Sequence, residues 1–214
     1  MSLRRLAPLL AAGVLAGCGG GDAQDVEDVD VTGIPQAWIE DTAEQWPTSS
    51  GFDASVPTLG ADDACLTFEE GTRIAGAEPT TTGAGFGRLG FSSSDDDYLY
   101  VCRLWDRDHY AGDVQLVQVA DVATAEAVAS SLADDTDTPV QDNDVSVVEV
   151  SGLEISVLSR WYPTNPQGLR RAVLVDEGRT AVVSLEVNSL DEDNFEAYTD
   201  QDVAQDLVAV LARG

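Results

Sequence analysis

Nucleophilic catalysis by serine or cysteine needs a base, and the chain holds one histidine, His109, in the run Asp106-Arg107-Asp108-His109-Tyr110. A histidine set between charges on a loop reads as an exposed side chain rather than a general base. Neither Gly-X-Ser-X-Gly nor Ser-X-X-Lys occurs. One histidine and a pair of cysteines do not make a tetrahedral zinc site. Asp135-Thr136-Asp137 and Asp142-Asn143-Asp144 have the residue types of calcium ligands, but they lack the glycine and distal glutamate of an EF-hand loop and read as solvated loop. Gly83, Gly85, Gly87 and Gly90 lack the preceding strand, the following helix and the lysine of a phosphate loop, so a glycine-rich strand or loop is expected there. No metal and no cofactor are expected.

Recognition chemistry has more shape. Arg160-Trp161-Tyr162-Pro163, Gly168 and Arg170-Arg171 gather arginines and aromatics at what reads as a hairpin tip, with Trp105, Arg107 and Tyr110 on a loop close by. Arginine and aromatic side chains are the usual anchors of binding surfaces, so these eight residues form the candidate site. The plainer alternative is that Trp161 and Tyr162 close the end of the core while the arginines pair with local acids.

The elements that must position them follow from periodicity. Gln36 to Trp46 reads as a short helix with Ala37, Trp38, Ile39 and Trp46 on one face, and a second helix is expected after a cap at Asp62 or Asp63, weakened by Gly71. Tyr98 to Trp105 is apolar on both sides and reads as a central strand, with Val114 to Val119 as its antiparallel neighbour. Asp121 caps a helix whose Val122, Ala125, Val128, Ala129 and Leu132 form a stripe for the sheet. Four strands follow, at Val145 to Val150, Leu153 to Tyr162, Arg171 to Asp176 and Thr180 to Val187, with glycine-bearing turns at Ser151-Gly152 and Asp176-Glu177-Gly178. In the last strand Val183, Leu185 and Val187 are read as inward, and Val182, Ser184 and Glu186 as outward. Residues 199 to 212 make a closing helix capped by Thr199 or Asp200. The expected fold is α+β: a single domain over 34–214, with an antiparallel sheet of about six strands and helices packed mainly on one face.

Arg4 and Arg5, an apolar run from Leu6 to Leu15, and small residues ending at Cys18 give residues 1–17 the layout of a signal peptide, too short to span a bilayer. Leu15-Ala16-Gly17-Cys18 resembles the lipobox of bacterial lipoproteins. That resemblance implies cleavage before Cys18 and lipidation of its sulfur by a diacylglyceryl group, with palmitate-like chains holding the protein to the extracytoplasmic side of the cell membrane. Residues 19–33 carry no periodicity and read as an acidic tether between Cys18 and the domain. Arg4-Arg5 also suggests twin-arginine export, although Leu6-Ala7-Pro8 continues that signal poorly.

Two further stretches carry a resemblance. Asp63-Ala64-Cys65-Leu66-Thr67-Phe68-Glu69-Glu70 and Val101-Cys102-Arg103-Leu104-Trp105 are similar to segments of actinobacterial envelope lipoproteins of unknown function. In those proteins an Asp-X-Cys-Leu-Leu-Thr-like run opens a helix and a Cys-Arg-Trp-like strand supplies the second cysteine. Here one residue stands inserted before Trp105, which leaves its facing open. The element order also resembles envelope lipoproteins with a photosystem-protein or Mog-like sandwich, a likeness that says little about activity. Beyond Cys18 the chain holds only Cys65 and Cys102, an even pair that in an oxidising compartment reads as one disulfide, with two buried thiols as the alternative.

Without residues 1–17 the chain has 39 acids against 9 arginines and no lysine, a formal charge of −30. A field of that sign repels phosphate backbones, so nucleic acid is not an expected partner. The expectation is a non-catalytic ligand- or partner-binding module of the cell envelope. A carboxylate-driven wall-glycan hydrolase is the enzymatic alternative, since 39 acids offer many pairs. A structural assembly partner without a pocket is the third.

Overall fold

The computed structural model describes residues 31–46, 65–79, 81–87, 89, 96–106, 109–134, 144–162 and 166–214. Residues 1–17, Cys18 and most of the tether, together with Asp62, Asp63, Arg107, the loop 135–143 and Pro163, lie outside the described residues.

The strands are β1 (Thr81–Gly87), β2 (Tyr98–Asp106), β3 (His109–Gln118), β4 (Asp144–Val150), β5 (Leu153–Tyr162), β6 (Gln167–Asp176) and β7 (Ala181–Ser189). The helices are α1 (Gln36–Gln45), α2 (Val122–Asp134), α3 (Glu192–Ala197) and α4 (Asp200–Leu211). All seven strands form one antiparallel sheet in the order β1-β2-β3-β7-β6-β5-β4. Two meanders, β1 to β3 and β4 to β7, therefore meet where β7 pairs with β3. Each meander pairs strands that are consecutive in sequence, whereas the seam between them joins residues some 70 apart, Gly112 with Val187 and Gln118 with Ala181. The seventh strand, beyond the expected six, is the glycine-rich β1. It lies at an edge, so β2 is one strand in from that edge with neighbours on both sides.

Pleating separates two cores. Tyr98, Tyr100, Cys102 and Leu104 of β2, Val114 and Leu116 of β3, and Val183, Leu185 and Val187 of β7 face the larger one, roofed by α1 and α4. Val117, Val173 and Val182 face the smaller one, under Ala125, Val128 and Ala129 of α2. Val182 and Ser184, read from sequence as outward, are thus fully buried, and Glu186 is 8% exposed, because α2 lies on that side. In α4, Val203, Leu207, Val208, Val210 and Leu211 are buried. Burying a Val or Leu side chain is worth about 1.5–3 kcal/mol, so packing holds this helix in place more than propensity does. Thr199 caps it in a reciprocal box with Asp202. Asp121 caps α2 by accepting from the Thr124 amide at 2.9 Å.

The expected second helix is absent among the described residues. Residues 65–77 run as turns with one bridge, Ile74 to Ala77. Gly71, Ala75 and Gly76 have positive φ, which a right-handed helix forbids. Cys65 is bonded to Cys102 with their Cα atoms 5.5 Å apart, which fastens the start of this segment over the middle of β2. Closing a loop of 37 residues is worth about 3 to 4 kcal/mol in the chain-entropy model. The segment adds to the roof of the larger core: the Leu66 amide donates to the Tyr100 hydroxyl at 2.8 Å, and Thr42 of α1 bonds the Tyr98 hydroxyl at 2.8 Å. Trp46, Phe86, Tyr98 and Tyr100 pack their rings at 5.0–5.9 Å between these layers.

Two turns differ in detail. Ser151 and Gly152 both take positive φ, as a two-residue hairpin requires. Between β6 and β7 the left-handed residue is Thr180, after a 3-10 turn at Glu177–Arg179, and Gly178 does not take that role.

Gly112 is the one glycine the seam cannot replace. Its φ is +152°, and a Cβ there would stand 1.9 Å from the Glu186 carbonyl oxygen of β7. Gly112→Ala is expected to lower unfolding stability by about 3 kcal/mol or more, through backbone strain and a forced shift of β7. Gly87→Ala, whose Cβ would meet only Leu99 at 3.9 Å, is the matched control and is expected to change little. Urea denaturation of the two variants measures the difference.

Candidate functional site

Alternation along β5 and β6 divides the surface that the sequence gathers at one tip. Arg160 and Tyr162 point to the α2 side and Trp161 to the α4 side, while in β6 Arg171 points to the α2 side and Arg170 to the α4 side. The residues are strand residues rather than tip residues, since β5 runs to Tyr162 and β6 starts at Gln167.

On the α4 side Arg170 fastens helices. Its guanidinium pairs with Asp200 in the first turn of α4, donates to the Ser159 hydroxyl at 2.5 Å and to the Phe195 carbonyl at 3.1 Å, and stands 4.3 Å from the Phe195 ring centre. Ser146 and Ser159 donate to the same Asp200 carboxylate at 2.6 and 2.5 Å. Trp161 packs on Phe195 at 5.5 Å, and Gly168 leaves the space that the Phe195 ring fills. Arg170 thus pairs with a local acid, and Trp161 stands half-buried against Phe195 of α3.

The α2 side carries the candidate site. Register sets Arg103 of β2 opposite Asp113 of β3, Asp113 opposite Glu186 of β7, and Glu186 opposite Arg171 of β6, a row of four charges across the sheet. Arg171 donates to Glu186 Oε2 from Nε at 3.1 Å and from Nη2 at 2.5 Å, and from Nη1 to the Leu132 carbonyl at 3.1 Å, near the C-terminal end of α2. A cation is favoured at that pole of a helix. Glu186 Oε1 accepts from Asn188 at 3.0 Å, and Asp113 accepts from Gln115 at 3.0 Å. Arg160, 2% exposed, donates to the Tyr162 hydroxyl at 2.9 Å. The register shift opposite Leu104 and Trp105 adds Ala111 to β3, so alternation along β2 is unbroken and keeps Trp105 on the side of Arg103. Tyr110 lies in β3 with its side chain outside the described set, as is the whole of Arg107.

Four of the eight expected residues therefore share one face: Trp105, Arg160, Tyr162 and Arg171. Sequence reading misses Arg103, Asp113, Glu186 and Asn188, which complete the row. The available signal is a charge at a position that alternates with core residues, as Asp113 does before Val114 and Glu186 after Leu185. Asp113, Glu186 and Arg160 are buried and Arg171 is nearly so, and directed hydrogen bonds fix these polar groups in place. Among the described residues no group of three or more metal-ligating side chains gathers. Comparison with protein-family models, curated proteins and solved structures finds no match to this chain.

A second polar cluster serves folding. Asp206 of α4 accepts from the Ala75 amide and from the Tyr198 hydroxyl, both at 2.7 Å, and so ties the 65–77 segment to α4. Burial raises the Asp206 carboxyl above the usual carboxylate range, although both hydrogen bonds pull it back. Burial likewise pushes the Tyr198 phenol well up.

Two measurements follow. Arg171→Met leaves Glu186 buried without its cation and is expected to cost about 3–5 kcal/mol in urea denaturation, most of which the double variant with Glu186→Met restores. Asp206 has a folded pKa above its unfolded one, so its ionisation opposes folding. That penalty is absent below the unfolded pKa, grows as pH rises through the window up to the folded pKa, and is constant above it. Asp206→Asn keeps an acceptor and removes the charge. It is expected to be more stable than the parent at pH 7, with the gain shrinking as pH falls through the carboxylate range.

Proposed function

We propose that the protein is a lipoprotein of the cell envelope, lipidated at Cys18 on the extracytoplasmic side of the membrane, whose α+β domain acts as a non-catalytic binding module. The observation that carries the anchor is Leu15-Ala16-Gly17-Cys18 behind Arg4-Arg5 and an apolar run of ten residues. The Cys65–Cys102 disulfide supports it, since structural disulfides persist in oxidising compartments. Among the described residues no helix is long and apolar enough to cross a membrane, so any membrane attachment of the kind proposed rests on Cys18. The actinobacterial envelope lipoproteins that the Cys65 and Cys102 segments resemble are the family this reading favours.

The binding half of the proposal rests on the α2-side row with Trp105, Arg160 and Tyr162 beside it. Arg171 is held on Glu186 and Arg160 on Tyr162 in fixed geometry, beside the half-buried rings of Trp105 and Tyr162, which supports a role in orienting a polar ligand or partner surface.

The anchor is tested by expressing the full chain in a bacterial host that processes lipoproteins. The parent is expected in the membrane fraction, with the N-terminal Cys18 peptide heavier by a diacylglyceryl group, and Cys18→Ser is expected to move the protein to the soluble extracytoplasmic fraction. Equal fractionation of parent and variant would refute the anchor. Native mass spectrometry of the Cys18→Ser protein, secreted by the same host, then reads any co-purified non-covalent ligand.

A further inference from the structure

The two edges of the sheet are finished differently. On β1 every residue from Gly83 to Gly87 is buried. On β4 the pattern is open: Val145 is 48% and Val147 66% exposed, and Glu149 is exposed as well. β4 pairs with β5 alone, in unbroken register from Asp144 with Ser159 to Val150 with Leu153. Its sequence, Asp-Val-Ser-Val-Val-Glu-Val, is rich in strand-forming valine and has no proline, lysine, arginine or bulge. Those are among the devices by which a free edge is normally protected; β4 carries charge only at Asp144 and Glu149, and no strand among the described residues pairs with its outer main-chain groups, which can template another strand.

Alternation fixes what that strand would meet. Ser146, Val148 and Val150 turn toward the larger core, where Ser146 bonds Asp200 and Val148 and Val150 pack. Val145, Val147 and Glu149 turn the other way, and Glu149 sits directly opposite Glu154 of β5, also exposed. Like charges opposed across a ladder are unfavourable, and among the described residues no ion pair joins either carboxylate.

We infer that β4 is a docking edge for an extended segment of a partner protein, added antiparallel as an eighth strand, with the order basic-X-apolar-X-apolar. Main-chain hydrogen bonds supply affinity and alternate side chains supply selectivity, as in other strand additions. The basic residue lies across from Glu149 and relieves its repulsion with Glu154, and the two apolar residues cover Val147 and Val145. A second copy of this chain fits worse. Antiparallel self-pairing about Val147 puts Glu149 against Val145 and joins two chains of formal charge −28. The inference deepens the binding-module reading and rests on it.

The test uses the full chain carrying Cys18→Ser and the capped peptide Thr-Arg-Thr-Val-Thr-Val-Thr. Three comparisons accompany it: the same peptide N-methylated at alternate residues, a version with glutamate for arginine, and the exposed-site variant Val147→Asp. Saturable binding is expected, with slowed amide exchange confined to residues 144–150 and the adjoining β5, and about tenfold weaker binding in each comparison. Three results would overturn the inference: protection elsewhere in the chain, equal affinity for the N-methylated peptide, or no binding at millimolar peptide. Concentration-dependent dimerisation of the chain that Val147→Asp abolishes would overturn it too, in favour of a second copy. A ligand found by native mass spectrometry while the peptide fails would leave the binding module standing and remove only this edge from it.

Discussion

The pairing of β7 with β3 is the constraint on which both cores depend. β7 is the last strand of the second meander, yet it must return to the strand that ended the first, across α2 and three further strands. Closing that distance costs entropy that only non-local contacts repay. Those contacts lie on both faces of the seam. Leu116 with Val183 and Val114 with Leu185 face the α4 side, Val117 with Val182 faces the α2 side, and all six are at most 2% exposed. Without the seam the meanders would be two hairpin stacks, each with an open apolar face, and α2 and α4 would lose the surfaces they cover. Gly112 permits the close approach at one end of this pairing, and the Gln118 side chain bonds the Arg179 carbonyl at 3.0 Å at the other.

Cations are scarce in this chain, with 11 arginines against 39 acids, and their placement marks the points where separate elements meet. Arg170 joins β6 to α3 and to the start of α4. Arg171 joins β6 to β7 and to α2. Arg179 pairs with Asp176, and that same carboxylate accepts from the Ile34 amide at 3.0 Å where the chain enters α1. Exposed ion pairs contribute little, but these are half-buried or better, and each carboxylate has a further donor or a backbone group to orient it. The same excess of acid makes an arginine a sensitive position here: its removal leaves a buried carboxylate in a field that is already strongly negative.

Much of this architecture was legible because local and global signals agree. β2 carries apolar residues on both sides and is covered on both; α2 and α4 begin at side-chain caps and bury the stripe their spacing defines. β5 coincides with its expected limits, Leu153 to Tyr162. What was not legible has physical reasons. Between Cys65 and Ala77 the disulfide and three positive-φ residues override a weak helical pattern, and neither effect has a periodic signature. β1 has three glycines in seven residues and so signals a strand weakly, and its Phe86 packs against Trp46, Tyr98 and Tyr100 while the glycines pair on the other face with Leu99, Val101 and Arg103. Arg160 to Arg171 look like one cluster in sequence, but the hairpin lengthens into strands, and a two-residue period then sends neighbours to opposite faces. The charged row across β2, β3, β7 and β6 exists only through long-range register, which no single segment encodes.

That register also sets the polarity of the molecule along its strands. The bond from the Ile34 amide to Asp176 fixes the entry of the chain at the end of the sheet where β6 turns into β7 and β4 into β5. Arg171 lies five residues back along β6 from that turn, and Gln167, opposite Tyr162, lies nine back. At about 3.3 Å per residue the row and its flanking aromatics stand roughly 15 to 30 Å from the entry point. With the proposed anchor ahead of residue 34, the domain would be held by one end, and the arginine- and aromatic-bearing end would be directed away from the point of attachment. β4, from Val150 near the entry to Asp144 near the far end, spans the distance between them along one side. A partner strand laid on that edge would run from the attachment end toward the level of the charged row, with Leu158 of β5, fully buried, between Val145 at the edge and Arg171 in the row.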